Sequence, residues 1–197
     1  MKNTEIVFLI DRSGSMAGLE RDTIGGYNSF IKEQKKLEGN VSLSTVLFDN
    51  NYEVLHDRID IEKVKPLTEK EYFVRGTTSL FDAIGITINN ISKSARKNKV
   101  IFVITTDGME NSSKEYTKEK INKLIKSKKD WEFLFLGANI DAYEEGTSLG
   151  IKKSHISNYK ADSKTTNVMY ECLAKTVSSL ANDEELKEDW NADIENE

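Results

Sequence analysis

The sequence has only one cysteine, one proline and two histidines among its 197 residues. The single Cys172 excludes an intramolecular disulfide and a cluster of thiolate metal ligands. His56 and His155 leave little material for a zinc site or for histidine-based catalysis. No apolar run approaches the roughly 18 residues that a membrane span requires, and the first apolar stretch, residues 6–10, is shorter than that of a signal peptide. We therefore expect a cytoplasmic protein that does not bind a membrane.

The acidic charge is concentrated near the C-terminus. The formal net charge is −5; residues 182–197 contain eight acids and one lysine, which leaves 27 basic and 25 acidic side chains in residues 1–181. With 38% hydrophobic and 31% charged residues, the composition is typical of one globular domain. We expect a domain over residues 1–181 and a solvated acidic tail over residues 182–197, in which Trp190 could dock. No stretch resembles a basic groove that tracks phosphates, so nucleic acid is not the expected partner.

Short apolar runs of strand length alternate with helical patterns, which is typical of an α/β domain. Residues 6–10 form a continuous β-branched and aromatic run, as in a strand covered on both faces. Gly25 and Gly26 interrupt the first helical pattern and indicate that another element packs closely there. The predicted strands cover residues 6–10, 41–48, 52–56, 100–104, 131–136 and a short last run at 155–159, and the predicted helices cover residues 22–37, 80–94, 118–128 and 166–180.

This order of elements predicts a doubly wound, Rossmann-like three-layer sandwich. Its central sheet is expected to be mostly parallel with one antiparallel edge strand, and helices are expected on both faces. In such sheets a ligand binds beyond the carboxyl ends of the strands, where the strand order reverses. The predicted strands at 6–10 and 100–104 are neighbours across that reversal, and they lead into Asp11 and Asp107. We therefore expect these two carboxylates to lie at one site.

Hydroxyl side chains accompany both aspartates. Ser13 and Ser15 follow Asp11 at alternating positions, Gly14 allows a tight turn between them, and a hydroxyl-rich loop at 75–79 precedes the predicted helix. Hard divalent cations prefer oxygen ligands, and Mg²⁺ prefers near-octahedral geometry. Two serine hydroxyls, one threonine hydroxyl and two carboxylates would suit that ion. Because the hydroxyls are neutral, the ion would stay electrophilic and would favour a further carboxylate from a partner.

Together these motifs resemble the metal-ion-dependent adhesion site of von Willebrand factor A domains. The resemblance rests on Asp11-x-Ser13-x-Ser15, on the Gly-Thr-Thr sequence at 76–78 and on the Asp-Gly pair at 107–108. It covers roughly residues 4–180. Arg75 stands where the family pattern has a second glycine.

The resemblance implies a set of metal ligands. Ser13, Ser15 and Thr78 would coordinate Mg²⁺ or Mn²⁺ directly, with Thr77 as the alternative to Thr78. Asp11 and Asp107 would act partly through waters, and the sixth position would accept an acidic side chain of an unidentified partner protein. The chain is similar to the compact intracellular bacterial or phage-type members of the family.

The residues around the site have open roles. Met16, Glu110 and Asn111 are expected on the rim, where a partner would make contact first, although burial of Met16 in the turn is the competing interpretation. Asp82, on the helix after the threonine loop, is expected either to orient one of the hydroxyl ligands or to face solvent.

Three functions remain in view. We interpret the protein as a non-catalytic binding module that a divalent cation joins to a partner. A hydrolase that uses a metal-bound water is the alternative, and it would need a general base, for which the sequence offers Asp107 and Glu110. A structural subunit with a vestigial or purely stabilising metal site is the third interpretation.

Overall fold

A computed structural model describes residues 3–93 and 98–197. Six strands form one sheet in the order β3-β2-β1-β4-β5-β6. The β2–β3 pair is antiparallel and the other four pairs are parallel, which confirms the predicted fold class. The strands are β1 (Asn3–Asp11), β2 (Asn40–Phe48), β3 (Tyr52–Asp60), β4 (Lys99–Thr106), β5 (Trp131–Ala138) and β6 (Ile156–Tyr159).

Helices connect the parallel strands and cover both faces of the sheet. Four of them lie where the sequence pattern predicts helices, but the boundaries differ: the first helix ends at Gln34 rather than at residue 37, and the helix predicted at 166–180 begins at Ser163 because the Asp162 side chain accepts a hydrogen bond from the Thr165 N–H. Ser94, the predicted end of the second helix, lies outside the described residues. The helices are α1 (Glu20–Gln34), α2 (Leu80–Ser92), α3 (Lys118–Ser127), α4 (Ala142–Ser148), α5 (Ser163–Ala181) and α6 (Ala192–Glu195).

The central strand β1 separates two hydrophobic cores. Ile6, Phe8 and Ile10 point into the core that is shared with α1 and α5. Val7 and Leu9 point into the core that is shared with α2, α3 and α4. Because successive side chains of a strand point to opposite faces, a strand that is apolar at every position needs a layer of helices on each side. This requirement explains the three-layer arrangement.

The C-terminal segment is anchored to the domain through Trp190, the residue that the sequence analysis named as able to dock, so the segment is solvated only in part. Trp190 is only 8% exposed and Ile194 only 2% exposed. The indole Nε1 of Trp190 donates a hydrogen bond to the Ser154 carbonyl oxygen at 2.8 Å, and Asn191 Nδ2 donates to the Ile156 carbonyl oxygen at 3.2 Å. Most acidic side chains of the segment stay exposed, so burial of its few apolar residues holds it in place. Within the described ranges, no helix combines the length and the apolar character needed to cross a bilayer.

Gly26 allows α1 and α5 to pack closely, as the glycine pair predicts. A Cβ atom at Gly26 would lie 2.1 Å from Cδ2 of Tyr170 on α5. A Cβ atom at Gly25, one position earlier on the same helix, would meet no atom within 4 Å. The two glycines therefore differ in what surrounds them, although their helical conformation is the same.

We predict that Gly26→Ala and Gly25→Ala change stability in opposite directions. Gly26→Ala should lower the free energy of unfolding by about 1–3 kcal/mol, because overpacking forces Tyr170 to move. Gly25→Ala should raise it by about 0.4–1 kcal/mol, because alanine reduces the entropy of the unfolded chain. Urea denaturation of both variants measures the difference, and equal effects of the two substitutions would contradict the packing argument.

Candidate metal centre

The carboxyl ends of β1 and β4 bring the two predicted aspartates together. Ile10 of β1 is paired with Thr105 of β4, so Asp11 and Asp107 follow at the same edge of the sheet. Both oxygens of Asp11 accept hydrogen bonds: Oδ1 from the Ser13 N–H at 2.7 Å and Oδ2 from the Thr106 hydroxyl at 2.6 Å. Asp11 is fully buried and does not reach solvent. Its hydrogen bond with the Ser13 N–H fixes the backbone at the start of the first loop. The sequence pattern around Asp11 does not indicate that Thr106 is its hydrogen-bond partner.

The two serines of the first loop contact each other and the second aspartate. Their hydroxyl oxygens, Ser13 Oγ and Ser15 Oγ, are 3.0 Å apart. The Ser15 hydroxyl also donates a hydrogen bond to Oδ1 of Asp107 at 2.6 Å. These contacts join the loop after β1 to the loop after β4, which are 92 residues apart in sequence.

Gly108 shows where the third hydroxyl lies. A Cβ atom at Gly108 would be 2.9 Å from Thr78 Oγ1, 3.1 Å from Ser15 Oγ and 3.8 Å from Ser13 Oγ. Three hydroxyl oxygens from two separate loops therefore converge on the space beside Gly108, which only glycine leaves open. Thr78 is buried, whereas Thr77 is exposed, so the structure brings Thr78 rather than Thr77 into this cluster.

The carboxyl groups of Asp11 and Asp107 are buried, and a bound cation would lower the free-energy cost of their charged forms. Asp107 Oδ2 is buried and has no hydrogen-bond partner among the described residues, and such a group costs free energy unless it is satisfied. Burial raises the pKa of Asp107, and it raises the pKa of Asp11 to about 6. Uncompensated burial thus disfavours the charged form of both carboxyl groups.

The donor set fits a hard divalent cation. Hydroxyl and carboxylate oxygens are the groups that Mg²⁺ accepts, and it binds through few carboxylates. The described residues contain no group of three or more histidine, cysteine, aspartate or glutamate side chains that could hold a metal ion. A site here must therefore draw on hydroxyl groups, and Ser13, Ser15, Thr78 and Asp107 are the residues that could hold the ion, with Asp11 supporting them.

Residues predicted for the rim mainly hold the loops in place. The Asn111 side chain accepts a hydrogen bond from the Thr78 N–H at 2.9 Å, and the Asn111 N–H donates to the Thr78 carbonyl oxygen at 3.0 Å. The Glu110 carboxylate accepts hydrogen bonds from three backbone N–H groups, those of Phe81, Ser112 and Ser113. Asn111 is exposed and Glu110 is half-buried, so both lie near the surface while they fix the threonine loop.

Two sequence-based expectations are corrected by the structure. Met16 is only 2% exposed, so it does not form part of the rim, and the competing interpretation that it is buried in the turn is confirmed. Asp82 neither orients a hydroxyl ligand nor faces solvent unpaired, because its carboxylate accepts hydrogen bonds from three successive backbone N–H groups, those of residues 114–116. Met109, which the sequence analysis did not single out, is 72% exposed beside Gly108. The position of Met109 two residues after Asp107 is the sequence feature that could have identified it as a residue near the site.

A charge cluster, with Arg12 and Asp49 buried and Glu53 and Arg75 at the surface, lies beside the first loop and was also missed. Arg12 Nε donates to Asp49 Oδ2 at 2.9 Å, and Arg12 Nη2 donates to Glu53 Oε2 at 2.7 Å. Arg75 Nε donates to the same Asp49 oxygen at 2.9 Å. Burial alone would raise the pKa of Asp49, but the hydrogen bonds from Arg75, Asn51 and Arg12 together lower it. The carboxylate therefore stays charged between the two guanidinium groups.

The fold is that of von Willebrand factor type A domains. The chain is similar to a von Willebrand factor type A structure from Catenulispora acidiphila, with 15% identity and a TM-score of 0.68 over 90% of this chain and 43% of that one. It is similar to manganese-loaded TRAP protein of Plasmodium vivax, with 16% identity and a TM-score of 0.61 over 85% and 72%. It is also similar to the domain of the type V pili tip protein Mfa5 from Porphyromonas gingivalis, with 11% identity and a TM-score of 0.69 over 94% and 98%.

These likenesses concern the fold. The chain spans less than half the length of several of the structures that it resembles, at 43–46%. No protein-family model matches the chain, and no curated protein matches it either. The role of the hydroxyl cluster is therefore argued from the geometry of this chain.

We predict that Thr78→Ala and Thr77→Ala differ in their effect on Mn²⁺ binding. Thr78→Ala removes a hydroxyl from the cluster and should weaken Mn²⁺ affinity about tenfold or more, as loss of even an outer partner of a metal ligand does. Thr77→Ala, which removes an exposed hydroxyl outside the cluster, should leave the affinity unchanged. Electron paramagnetic resonance of free Mn²⁺ during titration measures both. Loss of affinity in Thr77→Ala alone would reverse the assignment.

Proposed function

We propose that this chain is a protein-interaction module whose binding depends on a divalent cation, Mg²⁺ or Mn²⁺. The observation that carries the proposal is the convergence of the Ser13, Ser15 and Thr78 hydroxyls beside Gly108, next to the buried and unpartnered oxygen of Asp107. The likeness to a manganese-loaded protein of the same fold supports it. The ion would be held by these four residues, and Asp11 would orient the first loop beneath it.

A partner carboxylate is the ligand that this donor set favours. Hydroxyl ligands are neutral, and Asp11 has both oxygens engaged in hydrogen bonds with Ser13 and Thr106. The ion would therefore keep much of its positive charge and would attract an anionic oxygen from outside. The partner is proposed to be a protein that supplies an aspartate or glutamate side chain, rather than a nucleic acid or a membrane.

A binding role fits the surroundings of the site better than hydrolysis does. A hydrolase that activates a metal-bound water needs a general base within reach of that water. The Glu110 carboxylate is occupied by hydrogen bonds that hold residues 112–113 and the start of α2. The free oxygen of Asp107 is buried. We accordingly propose a non-catalytic module. Its intracellular location is an expectation from the sequence.

Metal removal should release the partner without unfolding the domain. The chain is immobilised on a support and exposed to a native lysate of its own organism that contains Mg²⁺. EDTA should then elute a partner protein, and the Ser15→Ala variant should fail to retain that protein. Ser15→Ala removes a proposed metal ligand together with its hydrogen bond to Asp107, so circular dichroism of the variant checks that it is folded. Ser29→Ala, at another exposed serine, on α1, is the matched control and should retain the partner.

Two results would contradict this function. The same proteins could remain bound in EDTA, in which case the cation does not mediate binding. Alternatively, turnover of p-nitrophenyl acetate or p-nitrophenyl phosphate could follow added Mg²⁺ and be lost in Ser15→Ala, which would make the site hydrolytic. Circular dichroism with and without EDTA checks that the fold is the same in both conditions.

A further inference from the structure

Two large apolar side chains are exposed beside the candidate metal centre. Phe73 is 42% exposed and Met109 is 72% exposed. The third large apolar side chain that is exposed among the described residues, Val54 at 46%, lies on the edge strand β3. Burial of such side chains removes apolar surface from water and is favourable in free energy. The exposure of two of them at one site therefore needs an explanation.

The Phe73 ring lies close to two guanidinium groups. The Cζ atoms of Arg12 and Arg75 lie 5.4 Å and 5.2 Å from the ring centroid, within the range of cation–π attraction. The two arginines are joined through Asp49, which accepts a hydrogen bond from each. Arg12 is completely buried, so at least one side of this arrangement is rigid. Phe73 is thus an exposed aromatic ring in a constrained position.

Residues on both sides of Phe73 contact the serine loop. The Tyr72 hydroxyl donates to the Asp11 carbonyl oxygen at 2.8 Å. The Arg75 N–H donates to the Arg12 carbonyl oxygen at 2.9 Å, and the N–H of Gly14 donates to the carbonyl oxygen of residue 76 at 3.1 Å. The position of Phe73 is therefore tied to that of Ser13 and Ser15.

Met109 lies on the other side of the same loop. The sheet order places β1 between β2 and β4; Phe73 is anchored to the ends of β1 and β2 through Arg12 and Asp49, whereas Met109 follows β4. Met109 is also adjacent in sequence to Gly108, against which the three hydroxyls converge. The two apolar side chains therefore flank the candidate metal centre.

The charges around Phe73 balance. Arg12 and Arg75 are matched by Asp49 and Glu53 in the charge cluster. The ion would attract the one carboxylate that the partner supplies, and the paired arginines of the cluster offer little attraction to a second. Beyond that carboxylate, the exposed apolar side chains therefore decide what else is recognised.

We propose that Phe73 and Met109 form an apolar rim that recognises the residues flanking the partner's carboxylate. The occupant is a protein segment with one aspartate or glutamate between apolar side chains, which would cover the rim and exclude water around the ion. Aromatic residues and methionine are enriched in protein interfaces, a few central residues carry most of the binding free energy there, and exclusion of water strengthens the electrostatic attraction inside. This inference rests on the proposed function and specifies the chemistry of its partner.

A peptide library tests the rim directly. Phage-displayed peptides with one central aspartate or glutamate and random flanking residues are selected on the immobilised chain with Mn²⁺ and eluted with EDTA. Apolar flanking residues should be enriched. Phe73→Ala and Met109→Ala should each weaken binding of the selected peptides about tenfold, whereas Val54→Ala, the matched control, should leave it unchanged. Mn²⁺ affinity of all three variants should equal that of the parent chain.

The outcomes separate the rim from the proposed function. Peptides that are retained through Mn²⁺ but show no apolar preference, or that bind both rim variants as tightly as the parent, would overturn the rim and leave the metal-dependent function standing. Absence of Mn²⁺-dependent peptides from a chain that binds Mn²⁺ would overturn both. Mn²⁺-dependent dimerisation in sedimentation, abolished by Phe73→Ala, would assign the rim to a second copy of this chain and would overturn the proposed partner. Met109→Ala keeps the test decisive should Phe73→Ala reduce stability.

Discussion

The parallel pairing of β1 with both β2 and β4 is the constraint on which the remaining structure depends. Every residue of β1 after Asn3 is buried, so the strand must lie inside the sheet with helices above and below it. Because its two neighbours run in the same direction, the carboxyl ends of all three strands meet at one edge. Asp11, Asp49 and Asp107 lie there for that reason. With either neighbour antiparallel, one of these loops would lie at the opposite end of the sheet.

The buried pair of Arg12 and Asp49 is a second constraint, and it acts on the loops rather than on the layers. Isolated buried ion pairs contribute little net stability, because desolvation offsets their attraction, but loss of one partner is costly. Here the Asp49 carboxylate also binds Arg75, and its carbonyl oxygen accepts a hydrogen bond from the Ser79 N–H at 2.9 Å. The pair thus joins the serine loop to the residues around Thr78, and the relative position of the hydroxyls depends on it.

Much of the fold and part of the site could be predicted from local patterns. The apolar run at 6–10, the helical periodicities and the aspartates after two strands lead to the observed sheet and to the edge where the candidate metal centre lies. Patterns of this range do not reveal contacts between distant segments. Asp82 binds the backbone 32 to 34 residues away, and Trp190 docks on Ser154 across 36 residues. Trp190 was named as a residue of the C-terminal segment that could dock, but neither its contact with Ser154 nor the burial of Ile194 was predicted.

The sequence by itself determined the type and order of the elements, because strand and helix periodicities are properties of neighbouring residues. It also determined which oxygen-bearing side chains follow the central strands. Only the tertiary structure decided that Thr78 faces the hydroxyl cluster while Thr77 is exposed, that Met16 is buried, and that Phe73 and Met109 remain at the surface. The direction of a side chain in a loop depends on hydrogen bonds and packing with segments that are remote in sequence, and these exist only once the sheet has formed.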